Sequence, residues 1–92
     1  MTLYGELQLR EKTGNPIKVG VIGAGQMGRG MIAQIASIPG MIVTGISDLS
    51  LDYAQKAKEA YLASAKVKKD VLISTDAKEI IHSEWNEVIV DA

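Results

Sequence analysis

Three glycines at the spacing G-x-G-x-x-G (Gly23, Gly25 and Gly28) lie within VIGAGQMGRG, residues 21–30. Twenty residues after Gly28 stands a carboxylate, Asp48. Glycines so spaced can close a tight strand-to-helix turn, let the backbone approach a diphosphate, and let the helix pack closely on the strand. An acid about 20 residues further on can accept hydrogen bonds from ribose hydroxyls. Together they point to dinucleotide binding, with the cofactor supplying any hydride chemistry. In a chain with 9 glycines the triplet alone is weak evidence, so the weight falls on the elements around it.

Those elements are legible in the periodicity. IKVGVIG (17–23) is a β-branched run ending in glycine and predicts a largely buried strand. From residue 25 to 37 the period changes: Met27, Met31, Ile35 and Ile38 recur at helical spacing, with Ile32 and Ala36 widening the face. Pro39-Gly40 ends that helix. MIVTGISD (41–48) predicts a second strand, with Asp48 at its end. Ser50 reads as the N-cap of a helix with Asp52 in its first turn and Leu51, Ala54, Ala57, Tyr61 and Ala65 on one face. DVLIST (70–75) predicts a third strand, and Asp76 with Glu79 a capping box opening a short helix through Ile80 and Ile81. NEVIVDA (86–92) predicts a fourth strand. Upstream, Leu3 and Leu7 mark a short amphipathic helix over 3–12, stopped by Thr13-Gly14-Asn15-Pro16.

Strands alternating with helices imply an α/β fold, a Rossmann-type parallel sheet with flanking helices. The division is an N-terminal helix and linker over 1–16 and a partial dinucleotide-binding unit over 17–92. Doubly wound domains commonly have six strands, so four strands predict a truncated fragment of a longer protein. The sheet edge and apolar face left uncovered predict self-association.

Each glycine of the triplet then has a task. Gly23 permits the turn, Gly25 the close approach of a diphosphate, and Gly28 the helix–strand contact. Gln26, by its backbone N–H, and Met27 line the phosphate turn at a helix N-terminus, which offers unpaired donors and a positive dipole end to phosphates. Arg29 is read as an exposed helix residue rather than a phosphate ligand. The Asp48 carboxylate suits a ribose and repels a 2′-phosphate, and Leu49 and Ser50 follow it rather than an arginine. This favours NAD, with NADP possible where a basic residue reaches in from elsewhere. Gly20 and Gly30 are assigned to close backbone approach, each weakening its element by about 1 kcal/mol relative to Ala. Ser74 and Thr75 are placed at the adenine edge, and Asp91 and Ala92 towards the nicotinamide side. The competing reading is that the glycines only shape a turn and Asp48 only caps a helix.

Composition argues against other classes. Ten basic and eleven acidic residues, with no basic stripe, predict neither nucleic-acid nor membrane partners. The absence of cysteine excludes disulfides and thiolate metal sites. The single histidine, His82, is assigned to a helix end without a catalytic role, and no ligand cluster predicts a metal. Lys66, Lys68 and Lys69 read as a solvated loop, Trp85 as a cover for the edge of strand four, and Met27, Met31 and Met41 as core filler. MTLYGELQLREKTGN lacks the apolar core of a signal peptide, and no run of about 18 apolar residues exists, so a soluble cytoplasmic protein is expected.

NPIKVGVIGAGQMGRGMIAQIASIPGMIVTGISDLSLDYAQKA, residues 15–57, resembles the N-terminal segment of homoserine-dehydrogenase-like oxidoreductases that carry a C-terminal SAF domain. TGNPIKVGVIGAGQMG fits that group better than it fits generic dehydrogenases. More broadly, the chain is similar to the nucleotide-binding half of homoserine dehydrogenases and dihydrodipicolinate reductases. The likeness runs through nearly all of the chain, and its specific part spans about residues 14–58. It implies dinucleotide contacts from Gly23, Gly25, Gln26, Met27 and Gly28, with Asp48 on the ribose. For the full-length protein it implies hydride transfer between nicotinamide and a small-molecule substrate, with no catalytic residue inside these 92 positions. The alternative from a different class is a non-catalytic NAD(H)-sensing module. A third is a nucleotide-binding fold without its ligand.

Overall fold

A computed structural model describes residues 2–65, 70–84 and 86–91, with the side chains of Leu3 and Tyr4 outside the description. The elements alternate as the periodicity predicts: α1 (Leu3–Lys12), β1 (Ile17–Ile22), α2 (Gln26–Ser37), β2 (Met41–Ser47), α3 (Leu51–Ser64), β3 (Leu72–Ser74), α4 (Ala77–Ile81) and β4 (Val88–Asp91). The four strands form one sheet in the order β3-β2-β1-β4, every neighbouring pair parallel. This is the Rossmann-type arrangement, with the strand order reversing at β1. Among the described residues no helix is long and apolar enough to cross a membrane.

α2 and α3 cover one face of the sheet. Val19, Val21, Val43 and Ile46 from the strands meet Ile32, Ile35, Ala54, Ala57 and Tyr61 from the helices in one buried cluster. Val43 and Ile46 are three residues apart, whereas a regular strand returns to the same face every two. A bulge reconciles them: Val19 pairs with Val43, but Gly20 pairs with Gly45, so Thr44 is the extra residue.

The opposite face carries α4 and a polar latch. The Thr44 hydroxyl donates to Asn86 Oδ1 at 2.6 Å, and Asn86 Nδ2 donates to the Ile80 carbonyl at 2.9 Å. A Cβ on Gly20 would stand 2.8 Å from Ile80 and 3.1 Å from Asn86, and one on Gly45 would stand 2.9 Å from Asn86. The two paired glycines therefore form a notch that admits the Asn86 side chain. Gly20 is required by side chains lying over it rather than by an approaching backbone. Gly30 is exposed, with nothing within reach of an added Cβ, so the close approach assigned to it does not exist.

Other expectations are corrected. β3 is shorter than DVLIST because both ends are drawn out of the ladder: Asp70 Oδ1 accepts the Val71 N–H, and Ser74 Oγ accepts the Asp76 N–H. That second bond also removes one arm of the capping box; Asp76 still caps α4 by accepting from the Lys78 N–H at 3.0 Å. β4 begins at Val88, since Asn86 turns back to bond the Ser83 carbonyl. Leu51 is exposed, leaving Ala54, Ala57, Tyr61 and Ala65 as the buried face of α3 and its cap. The buried stripe of α2 is Gly28, Ile32 and Ile35. Met27 falls outside that stripe and is 76% exposed, not core filler, while Met31 and Met41 are half-buried. Among the described side chains of α1, Leu7 is the buried one. The roles given to Lys66, Lys68, Lys69, Trp85 and Ala92 lie outside the described residues.

Acidic side chains away from the glycine turn make ion pairs: Asp52 with Lys56, Asp70 with Lys58 and Glu87 with Arg10. His82 is the exposed C-cap of α4. Among the described residues no group of three or more His, Cys, Asp or Glu is placed to hold a metal.

Tyr61 solves a backbone problem. β3 pairs with β2 only along Gly45–Ser47, so the earlier Val43 N–H donates to the buried Tyr61 hydroxyl at 2.9 Å. Burial pushes the phenol pKa up, and the Val43 N–H opposes that shift in part. The folded pKa therefore lies above the unfolded one of about 10. This contribution to stability is complete below pH ~10 and is lost as pH rises through the folded value. Tyr61→Phe strands the Val43 N–H and is expected to cost about 1–3 kcal/mol in urea unfolding at neutral pH. The variant should also lose less stability than the wild type above pH ~10; an equal alkaline decline would refute the assignment.

Candidate functional site

The glycine turn leaves the C-terminal end of β1, beside β4 and next to the end of β2, where ligands gather in open parallel sheets. Gly23 has φ +98°, a conformation that side chains with a Cβ rarely adopt, and its N–H donates to the Ser47 carbonyl at 2.7 Å. The next N–H, of buried Ala24, donates to Asp48 Oδ2 at 2.7 Å. Asp48 Oδ1 accepts the Ser50 N–H at 2.8 Å. The Asp48 N–H in turn donates to the Ser74 carbonyl at 3.2 Å. The Asp48 carboxylate thus ties the β1–α2 turn to the β2–α3 connection, and its backbone N–H adds the end of β3.

Gly25 is the N-cap of α2, and α2 has no side-chain cap. By contrast, Thr2 caps α1, Ser50 caps α3 and Asp76 caps α4 through side-chain oxygens. The first N–H groups of a helix have no intrahelical acceptor, so those of Gln26 and Met27 remain available as donors. The first bond closing α2 is Arg29 N–H to the Gly25 carbonyl, 2.9 Å. An added Cβ on Gly25 would meet nothing within 4 Å. Gly28 is buried in the first turn of α2.

A cleft of about 270 Å³ opens beside the turn, lined by Ile22, Gly23, Ser47, Asp48, Leu49, Thr75 and Ala77. Among the described residues lining it, the one carboxylate is that of Asp48. Leu49 is 96% exposed and forms an apolar wall next to that acid. Leu49 and Ala77 escape a reading by residue type, because an aliphatic side chain after an acid carries no motif signal. Of the pair assigned to the adenine edge, Thr75 lines the cleft, but Ser74 is buried and occupied with the Asp76 N–H. Asp91 is exposed at the end of β4, paired in register with Ile22. Arg29 lies apart from the cleft, in a groove between α2 and α3 with Ala60 and Ser64.

The arrangement fits a diphosphate flanked by a ribose. The positive end of α2 has no side-chain cap, an added Cβ on Gly25 meets nothing within 4 Å, and the Asp48 carboxylate is bonded to the same turn at Ala24. Each Asp48 oxygen holds one backbone N–H and keeps a further lone pair for a hydroxyl.

No curated protein sequence matches the chain. Among solved structures it is similar to myo-inositol dehydrogenase from Lactobacillus casei, crystallised in complex with NAD(H) and myo-inositol, with a TM-score of 0.70 and 24% sequence identity. That alignment covers 84% of this chain and 21% of the other, so the chain spans about a fifth of that protein's length. The likeness shows the Rossmann-type fold. Residues 17–92, from β1 to the end of the chain, match the family model of the dihydrodipicolinate reductase N-terminus. The chain therefore belongs to the family of dihydrodipicolinate reductase N-terminal domains, which are NAD(P)-binding domains of Rossmann type.

Proposed function

We propose that this chain holds NAD(H) for an oxidoreductase of the homoserine-dehydrogenase-like kind, in which hydride passes between nicotinamide and a small aldehyde, ketone or alcohol. The observation that carries the reading is the uncapped start of α2 over Gly25, facing Asp48 across the turn. In this reading the N–H groups of Gln26 and Met27 hold the diphosphate, and Gly23, Gly25 and Gly28 give it room. Asp48 accepts from the adenosine ribose, with Leu49 and Thr75 beside the adenine. A carboxylate already committed to two backbone donors is a poor neighbour for a 2′-phosphate, which supports NAD over NADP. Substrate-handling groups belong to other parts of the full-length protein.

Titration of the full-length protein, followed by nicotinamide fluorescence, tests this. Saturable NADH binding, tighter than NADPH binding, is expected. Hydrogen bonds to a charged group contribute about 1.5–3 kcal/mol, so Asp48→Ala should weaken NADH roughly 30-fold and NADPH by less. Equal losses for the two would contradict the ribose assignment. No saturable binding of either nucleotide would sink the cofactor reading.

A further inference from the structure

Asp48 is used twice by the fold before any ligand arrives. Its Oδ2 holds the N–H of Ala24, 24 residues upstream in the β1–α2 turn, while its Oδ1 holds the N–H of Ser50 in the β2–α3 connection. Two consecutive N–H groups of the glycine turn, those of Gly23 and Ala24, are thus pinned to Ser47, the last residue of β2, and to Asp48 just after it. The Gly23 bond is between backbones and survives a substitution at position 48. The Ala24 bond is made by a side chain, and the next residue along, Gly25, begins α2 without a side-chain cap of its own.

We propose that Asp48 is a positioning residue for the diphosphate as well as an acceptor for the ribose: by holding Ala24 it sets the angle at which α2 presents the Gln26 and Met27 N–H groups. This deepens, and rests on, the cofactor reading above. It carries a consequence for specificity. Removing the carboxylate lifts the repulsion of a 2′-phosphate but also frees the turn that must hold the neighbouring diphosphate. A single substitution at 48 therefore lowers NADH affinity without raising NADPH affinity above that of the wild type.

The test separates the two roles with NADH and its 2′,3′-dideoxyadenosine analogue, which lacks the hydroxyls that Asp48 would bind. If positioning is real, Asp48→Ala still weakens the dideoxy analogue, by about fivefold to tenfold. Asp48→Asn serves as the milder variant, since its single acceptor oxygen can keep only one of the two N–H groups. In that variant amide exchange at Ala24 or Ser50 should quicken at least about tenfold while Val43 is unchanged, a pattern that general destabilisation does not give. Unchanged dideoxy affinity in Asp48→Ala, with Ala24 and Ser50 exchanging as in the wild type in Asp48→Asn, overturns the positioning role and leaves the cofactor reading intact. Failure of the wild type to bind NADH at all overturns both.

Discussion

Gly25→Ala should fold as well as the wild type and bind NADH at least about 100-fold more weakly, a loss of ~2.7 kcal/mol in binding. The two halves of that expectation have separate origins. Gly25 has φ −72° and ψ −161°, extended backbone open to any residue, and an added Cβ would touch nothing. Alanine is a poorer N-cap than glycine but also restricts the unfolded chain, so the net change in stability stays within about 1 kcal/mol. Neither backbone nor packing explains a glycine here; the proposed diphosphate would. A methyl group at this position projects into the space a diphosphate must enter to reach the Gln26 and Met27 N–H groups. Gly30→Ala is the control, because Gly30 is also open and exposed but lies a turn further along α2. It should stabilise the helix by about 1 kcal/mol and leave NADH binding alone. Urea unfolding and NADH titration of both variants decide the matter. Wild-type affinity in Gly25→Ala would mean that no diphosphate approaches this turn.

Gly40→Ala should have the opposite profile, with a large loss of stability and unchanged NADH affinity in the molecules that remain folded. Gly40 has φ +83°, and a Cβ there would overlap the Leu7 carbonyl group in the backbone of α1. A non-glycine residue in that region costs about 1–3 kcal/mol by itself. The clash adds more, because backbone cannot rotate out of the way as a flexible side chain can. Relief requires α1 to lift off, exposing Leu7, whose burial contributes about 1.5–3 kcal/mol. The combined loss of at least about 3 kcal/mol is a large share of the 5–15 kcal/mol typical of a small domain. The site escapes because Gly40 precedes β2, whereas the cleft lies beyond the other end of that strand. A urea midpoint equal to that of the wild type would show that α1 does not dock on this turn.

The two glycines show how far residue type can be read. Pro39-Gly40 announces the end of a helix, but its contact with Leu7 joins residues 33 positions apart and has no local signature. Gly23, Gly25 and Gly30 look alike in sequence. Structure separates them: Gly23 is needed for its φ, Gly25 begins α2 with open space above it, and Gly30 lies exposed within the helix. Likewise Met27 satisfies a helical period, yet the stripe that faces the sheet runs through Gly28, Ile32 and Ile35. Periodicity predicts that a helix has an apolar side. The direction of that side is set by the element it meets.

By itself the sequence determines the order of strands and helices, the parallel sheet, and the placement of the glycine turn and Asp48 at successive strand ends. These follow from local causes: β-branched runs, the switch of period from two to 3.6, and Gly, Pro, Ser and Asp at the breaks. Only the tertiary structure decides what those residues touch. It brings Asp48 onto Ala24, seats Asn86 in the Gly20–Gly45 notch, and inserts Thr44 as the bulge that keeps Val43 and Ile46 on one face. Each of these joins segments distant in the chain, and each exists because buried N–H groups and side chains must find partners in whatever element packs beside them.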